Sequence, residues 1–523
     1  MVERERRSCL LSPEISGYDE DMETHDRDAE LRICYNQHMQ GETEKISTIS
    51  SSASESFPAS YGSAILIFMI TAAGAFLRFH QLSHNSLWLD EGATYELSRL
   101  SLLGIWNSMT TGEFNPPLFY WIEHLMLCLG KSEFLLRLVP ALLGTAAIPL
   151  VYLLGRELCD EPAGVLSASI VAFSPFHIFY SQEARAYTTV TFLLACAILC
   201  FARAWKSGSA CCWAAFGLFS ALSFYTHFYS ALLIIALILL GLAGELWLRE
   251  RSIQRIRHFC SGLLLSLLLV LPLLVVAVPV TLRRAAVPPS WGIQGIEALK
   301  ATLGTIMSQN SAAMVFLAIL SIIGIAVLWR KSRMSALIVT LSIAVPLSAT
   351  ALLSHRIPFH PRYLIYLIPL FAIAISCGLS PLFSRQRWIV TALVIVTALL
   401  QLSPLKEYYS KTSKDDWRGV VRQLGLNRGS GDIYVFVPGY VSLPFLFYYE
   451  GPEQDIVKMD SYGDSDFEAL VSLRKGKRLF FIVTEDVNAV SGGDNAKSWL
   501  AKNAGFCGSR TGIHVFLVQT GSP

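Results

Sequence analysis

Residues 259–281 read FCSGLLLSLLLVLPLLVVAVPVT, a run without one charged side chain and long enough to cross the hydrocarbon core of a bilayer as a helix. Working outward in both directions, the same pattern repeats from about 62 to 404, apolar runs alternating with short polar turns. The expected spans lie near 62–79, 134–154, 162–179, 187–204, 211–226, 228–248, 259–281, 312–329, 335–353, 363–383 and 388–404, which makes eleven. Pro116–Gly130 is too short, and too interrupted by Glu123 and His124, to span; it is expected to lie along the membrane surface. The composition agrees: 53% of the residues are hydrophobic and 16% charged, where soluble domains carry about 25% charged residues.

The fold class that follows is an all-α polytopic membrane body over residues 61–404, between a polar tail of 1–60 and a small C-terminal α/β domain over 405–523. The tail mixes charge with a serine-rich stretch at Ser47–Ser56 and shows no apolar period, so it is expected to be disordered and cytoplasmic. The first apolar run starts too late and runs too long for a secretory signal peptide, and is expected to stay as a span. In the C-terminal segment, Asp416–Leu424 and Ala496–Asn503 read as helices, and Asp432–Pro438, Arg478–Thr484 and Ile513–Gln519 as strands, the first of these after Gly429-Ser430-Gly431. With 42 basic and 40 acidic residues there is no global basic field to attract nucleic acid. Of the eleven cysteines, Cys128, Cys196, Cys200, Cys212, Cys260 and Cys377 sit in apolar runs, where Cys acts as a small hydrophobe.

Orientation follows from the short loops. With the N-terminus in the cytoplasm, the inner loops hold Arg156; Arg203 and Lys206; Arg249, Arg251, Arg255 and Arg257; Arg330, Lys331 and Arg333; Arg385 and Arg387. The opposite parity would translocate every one of these clusters. The C-terminal domain is then outside.

Three outer sites gather ionisable groups within aromatic surroundings. The first is Trp88-Leu89-Asp90-Glu91-Gly92 with Phe114-Asn115-Pro116-Pro117. The second is Tyr180-Ser181-Gln182-Glu183-Ala184-Arg185-Ala186-Tyr187. The third is Ser354-His355-Arg356 through His360-Pro361-Arg362-Tyr363, and an outer turn at Tyr225-Thr226-His227 lies between the second and third. Singly, each reads as a solvated loop or a snorkelling Arg. Together, at one depth and on one face, they suggest a shared cavity for an anionic, lipid-linked substrate. A carboxylate such as Asp90 suits proton abstraction from a hydroxyl, and Arg or His suits a leaving phosphate.

The same residues resemble the GT-C membrane glycosyltransferases, nearest to the branch of protein O-mannosyltransferases and aminoarabinose (lipid A) transferases in its bacterial form. The likeness runs over about residues 62–450. It rests on Asp90-Glu91, Asn115-Pro116-Pro117-Leu118-Phe119-Tyr120-Trp121, Leu136-Arg137-Leu138-Val139-Pro140-Ala141, Gln182-Glu183-Ala184-Arg185, Pro361-Arg362-Tyr363 and Lys414-Asp415-Asp416-Trp417-Arg418. The resemblance implies inverting transfer of a sugar from a polyprenyl-phosphate donor to a lipid, glycan or protein acceptor at the outer face of a bacterial inner membrane. It makes Asp90 the catalytic base, with Glu91 beside it in support, and Glu183 the second acidic position of the catalytic set, which orients the acceptor or helps to hold a metal. Arg362, His355, Arg356 and Arg185 become the donor-phosphate contacts, and Asn115, Gln182 and Tyr363 acceptor or positioning residues. Glu183 and His227 are candidate ligands for a divalent metal where members use one; no nucleotide cofactor is implied. Asn115 departs from the His or Lys common in relatives.

The competing class is a lipid or sugar transporter or flippase. Such proteins place ionisable residues near the midplane and show repeated halves, whereas here the middles of the spans carry almost no charge and neither acidic site is repeated. A membrane scaffold whose outer domain binds a partner is a third reading.

Overall fold

A computed structural model describes residues 61–111, 115–247, 253–383, 386, 388–410, 414–426 and 431–520. The tail of 1–60, Phe114, Arg249, Arg251, Arg385, Arg387, Gly429 and Ser430 lie outside the described residues.

The first span, α1 (Tyr61–Phe79), leads into a loop that itself folds into helices: α2 (Leu89–Ser98), α3 (Leu102–Thr111) and α4 (Leu118–Leu129). The bundle continues with α5 (Glu133–Leu158), α6 (Glu161–Phe173), α7 (Pro175–Ser181), α8 (Tyr187–Ser207), α9 (Ala210–Thr226), α10 (Ser230–Trp247) and α11 (Ile253–Ala285). After α12 (Gly295–Ile306) come α13 (Ser311–Lys331), α14 (Arg333–Leu353), a 3-10 turn at Pro361–Leu367 running into α15 (Ile368–Phe383), and α16 (Trp388–Ser410). The protein is an integral, multi-pass membrane protein. Eight of its described helices are long and apolar enough to cross a bilayer, or nine if α6 and α7, bent by 60° at their junction, are counted as one span. The two remaining expected spans, 211–226 and 228–248, correspond to the shorter apolar helices α9 and α10. At 1.5 Å per residue, the 17 residues of α9 reach about 25 Å, slightly less than the roughly 30 Å core.

The centre of the bundle is α8 and the 361–382 span, whose apolar windows are 78% and 83% buried, against 6% for α11 at the periphery. The bend in the α6–α7 span has a local cause. Pro175 offers no N–H to the carbonyl four residues back, and Ser174 starts a new helix by accepting from His177 N. The released carbonyls of Val171 and Ala172 accept from buried Arg78, which also meets His177 Nδ1 at 3.0 Å. A cation thus closes the C-terminal end of α6, where the helix dipole favours one.

The expected last span ended at 404; α16 instead carries through Pro404 to Ser410. Beyond it come α17 (Trp417–Leu426), β1 (Ile433–Val437), α18 (Ser442–Tyr448), β2 (Ile456–Lys458), α19 (Asp464–Leu473), β3 (Arg478–Thr484), α20 (Gly493–Asn503), β4 (Gly505–Arg510) and β5 (Ile513–Gln519). The sheet order is β2-β1-β3-β5-β4, with β1 parallel to β2 and β3, and β5 antiparallel to β3 and β4. Alternation along β1 splits the core. Ile433 and Val435 pack under Phe467 of α19 and Trp499 of α20, while Tyr434 and Phe436 meet Trp417 of α17 and Phe445 of α18.

The sheet domain docks on α2. A Cβ at Gly92 would collide with the backbone of Pro444, so only glycine lets α18 approach this closely. Tyr448 OH accepts from Leu87 N (2.7 Å) and donates to Glu133 (2.6 Å), and Arg418 donates to the same carboxylate (2.6 Å). At the far end of the bundle, Arg203 and Lys206 pair with Glu157, and Lys331 with Asp160.

Candidate active site

The site begins with the start of α2. Trp88 is its N-cap, and Glu91 at the third helical position accepts from Trp88 N at 3.4 Å, satisfying one of the free N-terminal donors. Asp90 and Glu91 in the first turn also suit the positive end of the helix dipole. Adjacent positions on a helix point about 100° apart, and the two carboxylates therefore meet different surroundings.

Asp90 stays 23% exposed and faces two guanidiniums, Arg362 Nη1 at 3.0 Å and Arg185 Nε at 4.0 Å. Arg185 is held by donating to Asp90 O (3.4 Å) and Thr94 Oγ1 (3.3 Å). Arg362 lies within 6 Å of the rings of Trp88, Tyr187 and Tyr363, an aromatic cage that orients its plane.

Glu91 is fully buried. Arg137 donates to both its oxygens at 2.7 Å, Ala184 N donates at 2.9 Å and Lys414 Nζ at 3.1 Å. Burial by itself would raise this carboxyl, but Arg137 and Lys414 outweigh it and hold the group well below the usual carboxylate range. So saturated a carboxylate ties α2 to α5, to the segment carrying Glu183 and to Lys414. Glu183, also buried, has its Oε1 3.3 Å from the same Lys414 Nζ. Its burial pushes the carboxyl up to about 7, opposed chiefly by Lys414 and reinforced by Glu91 and Asp90.

Gln182 turns away from this cluster. Its amide donates to the carbonyls of Leu77, Arg78 and His80, and its oxygen accepts from Tyr408 OH (2.7 Å), which caps the end of α1 and ties it to α16. Asn115, Arg185, Tyr187 and His227 line one small crevice. His227 Nδ1 accepts from Tyr229 N (3.3 Å), and burial, then Arg185 and Arg362, push the ring down to about 3, so it is neutral. Tyr363 packs between His227 and Tyr229 at 5.1 and 5.2 Å.

The expected phosphate contacts fall into two groups. His355 and Arg356 are exposed; Arg356 joins Arg283, Arg284 and Trp291 around a separate cavity of about 430 Å³, while the partners of Asp90 are Arg362 and Arg185. The 3-10 turn after His360 is what turns Arg362 inward. Among the described residues no three His, Cys, Asp or Glu side chains gather to hold an ion, and the neighbour of Glu183 is an ammonium.

Three residues of the site carried no assigned role in the sequence. Arg137 sits inside the apolar run of α5, Lys414 is 323 positions from Glu91, and Trp88 reads as an interfacial aromatic. The signal for Arg137 was a lone cation in a span, which needs a buried partner.

Two apolar cavities flank the site. One of about 340 Å³ lies between α9, α10, α11 and α14, lined by Phe224, Leu274, Leu353 and Tyr229, and Tyr229 touches Tyr363. The other, about 870 Å³, runs between α6, α13, α15 and α16 and reaches Phe179 and Tyr408. The ring of Phe179 lies 5.7 Å from Lys414.

The sequence profile described as dolichyl-phosphate-mannose-protein mannosyltransferase matches residues 115–276, less than half of the chain. Among solved structures, ArnT from Cupriavidus metallidurans in the apo state superposes with a TM-score of 0.60 at 14% identity, covering 87% of this chain and 98% of that one. The same protein bound to undecaprenyl phosphate gives 0.57 at 14%, covering 88% and 98%. The archaeal oligosaccharyltransferase AglB from Archaeoglobus fulgidus, in complex with an inhibitory peptide and a dolichol-phosphate, gives 0.56 at 13%, covering 87% and 74%. No curated protein sequence matches the chain. The fold is the one shared by ArnT and AglB.

Proposed function

We propose that this protein is an inverting membrane glycosyltransferase that moves a sugar from a polyprenyl-phosphate donor to an acceptor hydroxyl at the sheet-domain face. The observation that carries this reading is Asp90: one accessible carboxylate set against two guanidiniums, Arg362 and Arg185. A proton acceptor and a surplus of positive charge at one point suit a reaction that deprotonates a hydroxyl and releases a phosphate.

In the reaction, Asp90 takes the acceptor proton as the hydroxyl oxygen bonds to the anomeric carbon. The bond from that carbon to the phosphate oxygen breaks on the opposite face, inverting the configuration. The donor is a phosphodiester with one negative charge; the released polyprenyl phosphate gains a second, which Arg362 and Arg185 are placed to meet by charge-assisted hydrogen bonds. The leaving group is already a phosphate, so no nucleotide enters the step. The 340 Å³ apolar cavity, joined to Arg362 through Tyr229 and Tyr363, suits the lipid tail of such a donor.

The basic residues Arg156, Arg203, Lys206, Arg330 and Lys331 lie at the end of the bundle away from the sheet domain. The excess of Lys and Arg in cytoplasmic loops then supports a site facing outward across a bacterial plasma membrane. Transfer of label from a panel of polyprenyl-phosphate sugars to membrane-extract acceptors, by wild type and Asp90→Asn side by side, tests the reading. Transfer by wild type alone supports it; an active Asp90→Asn protein removes Asp90 as base.

A further inference from the structure

We propose that Lys414, delivered by the segment leading into the sheet domain, is a positioning residue for sugar transfer: it holds Glu91 and Glu183 together so that Asp90 and Arg185 face the substrate. The proposal rests on the transfer reading above. The Lys414 ammonium is nearly buried, 3.1 Å from Glu91 and 3.3 Å from Glu183, and lies within 6 Å of the rings of Trp88 and Phe179.

Two chain segments meet at this ammonium. Residues 88–94 carry Asp90 and Glu91; residues 182–185 carry Glu183 and Arg185. They are joined by Ala184 N donating to Glu91 and by Arg185 donating to Asp90 O and Thr94. Each segment brings a buried carboxylate to the junction, and Arg137 pairs directly with Glu91 alone. Without Lys414, an ionised Glu183 would face Glu91 and Asp90 with no cation in contact, and buried like charges at that range push the segments apart. Asp90 and Arg185 sit one and two residues from those carboxylates, so any separation moves the base and one phosphate contact. The sheet domain has other anchors, Arg418 and Tyr448 on Glu133. Loss of Lys414 therefore leaves the domain docked while unbalancing the site.

The experiment compares wild type, Lys414→Arg, Lys414→Met and Lys414→Met with Glu183→Gln, each full length in lipid, for kcat and donor KM. Amide exchange of 88–98 and 182–187 is followed in parallel. Lys414→Met should lose about 10- to 100-fold in kcat, with donor KM within about threefold of wild type. Exchange should rise in both segments. Glu183→Gln in that background removes the carboxylate left without its cation and should restore part of the rate and of the protection, and Lys414→Arg should keep most of the rate. Wild-type rates and exchange in Lys414→Met, or a loss unrelieved by Glu183→Gln, would overturn the proposal. If wild type transfers no sugar from any donor, the transfer reading falls by itself, and the exchange data alone decide whether Lys414 positions these segments.

Discussion

Asp90 and Glu91 are neighbours in the chain, yet they belong to opposite kinds of site. Glu91, Arg137, Lys414 and Glu183 form a buried cluster in which two carboxylates face two cations. Asp90, Arg362 and Arg185 form an accessible cluster in which one carboxylate faces two cations. The first is balanced and closed, which suits fixing a backbone. The second has a cation to spare and remains open, which suits receiving an anion. Burial and charge count, rather than residue type, separate scaffold from chemistry.

That contrast can be broken most severely from the buried side. Arg137→Met leaves the Glu91 carboxylate sharing a single ammonium with Glu183, and should cost about 3–5 kcal/mol of stability, as removal of one partner of a buried pair does. Loss of the monodisperse folded protein in detergent would show it, and an unchanged melting temperature would mean the cluster is not the anchor described. On the accessible side, Asp90→Asn should lower transfer by about 10³-fold or more with melting unchanged, within the range spanned by a lost general base. Arg362→Lys keeps the charge but loses the planar fork caged by Trp88, Tyr187 and Tyr363. A drop of roughly 10-fold in kcat/KM for the donor is expected, measured at fixed acceptor.

The smallest effect concerns pH. The Glu183 carboxyl lies near 7 in the folded protein against 4.5 ordinarily, so the native state binds the extra proton. The stability this gives is complete below about pH 4.5 and is lost as pH rises through about 7. The melting temperature of wild type should therefore fall relative to Glu183→Gln between about pH 5 and pH 8. A constant difference across that range would remove Glu183 as the titrating group.

Much of the bundle was legible because each span is a local fact: a run of apolar residues with polar ends. In the sheet domain, Arg478–Thr484 and Ile513–Gln519 were legible as strands because they are uninterrupted and rich in aromatic and β-branched residues. Elements held by their neighbours were not. β4, with the sequence GFCGSR, has no strand pattern of its own and exists because β5 offers it a partner. α2 carries three acidic residues and a glycine in ten positions and owes its place to α18 and Arg137. The site was legible in part for the same reason. Asp90, Glu183 and Arg362 stood out as charges at the edge of the bilayer, whereas Lys414 entered only as part of the run Lys414-Asp415-Asp416-Trp417-Arg418, with no role of its own.

The sequence by itself determined that this chain lives in a membrane, because lipid offers no hydrogen bonds and twenty-residue apolar runs have only the helix in which to satisfy their backbone. It determined too that the ionisable groups collect at the ends of those helices, since their cost at mid-bilayer is a local property of each residue. Only the tertiary structure decided which carboxylate is sealed and which is open, and which cation serves each. Those depend on side chains from α2, α5, the turn before α8 and the segment after α16 meeting at one point, and no local pattern records a partner hundreds of residues away.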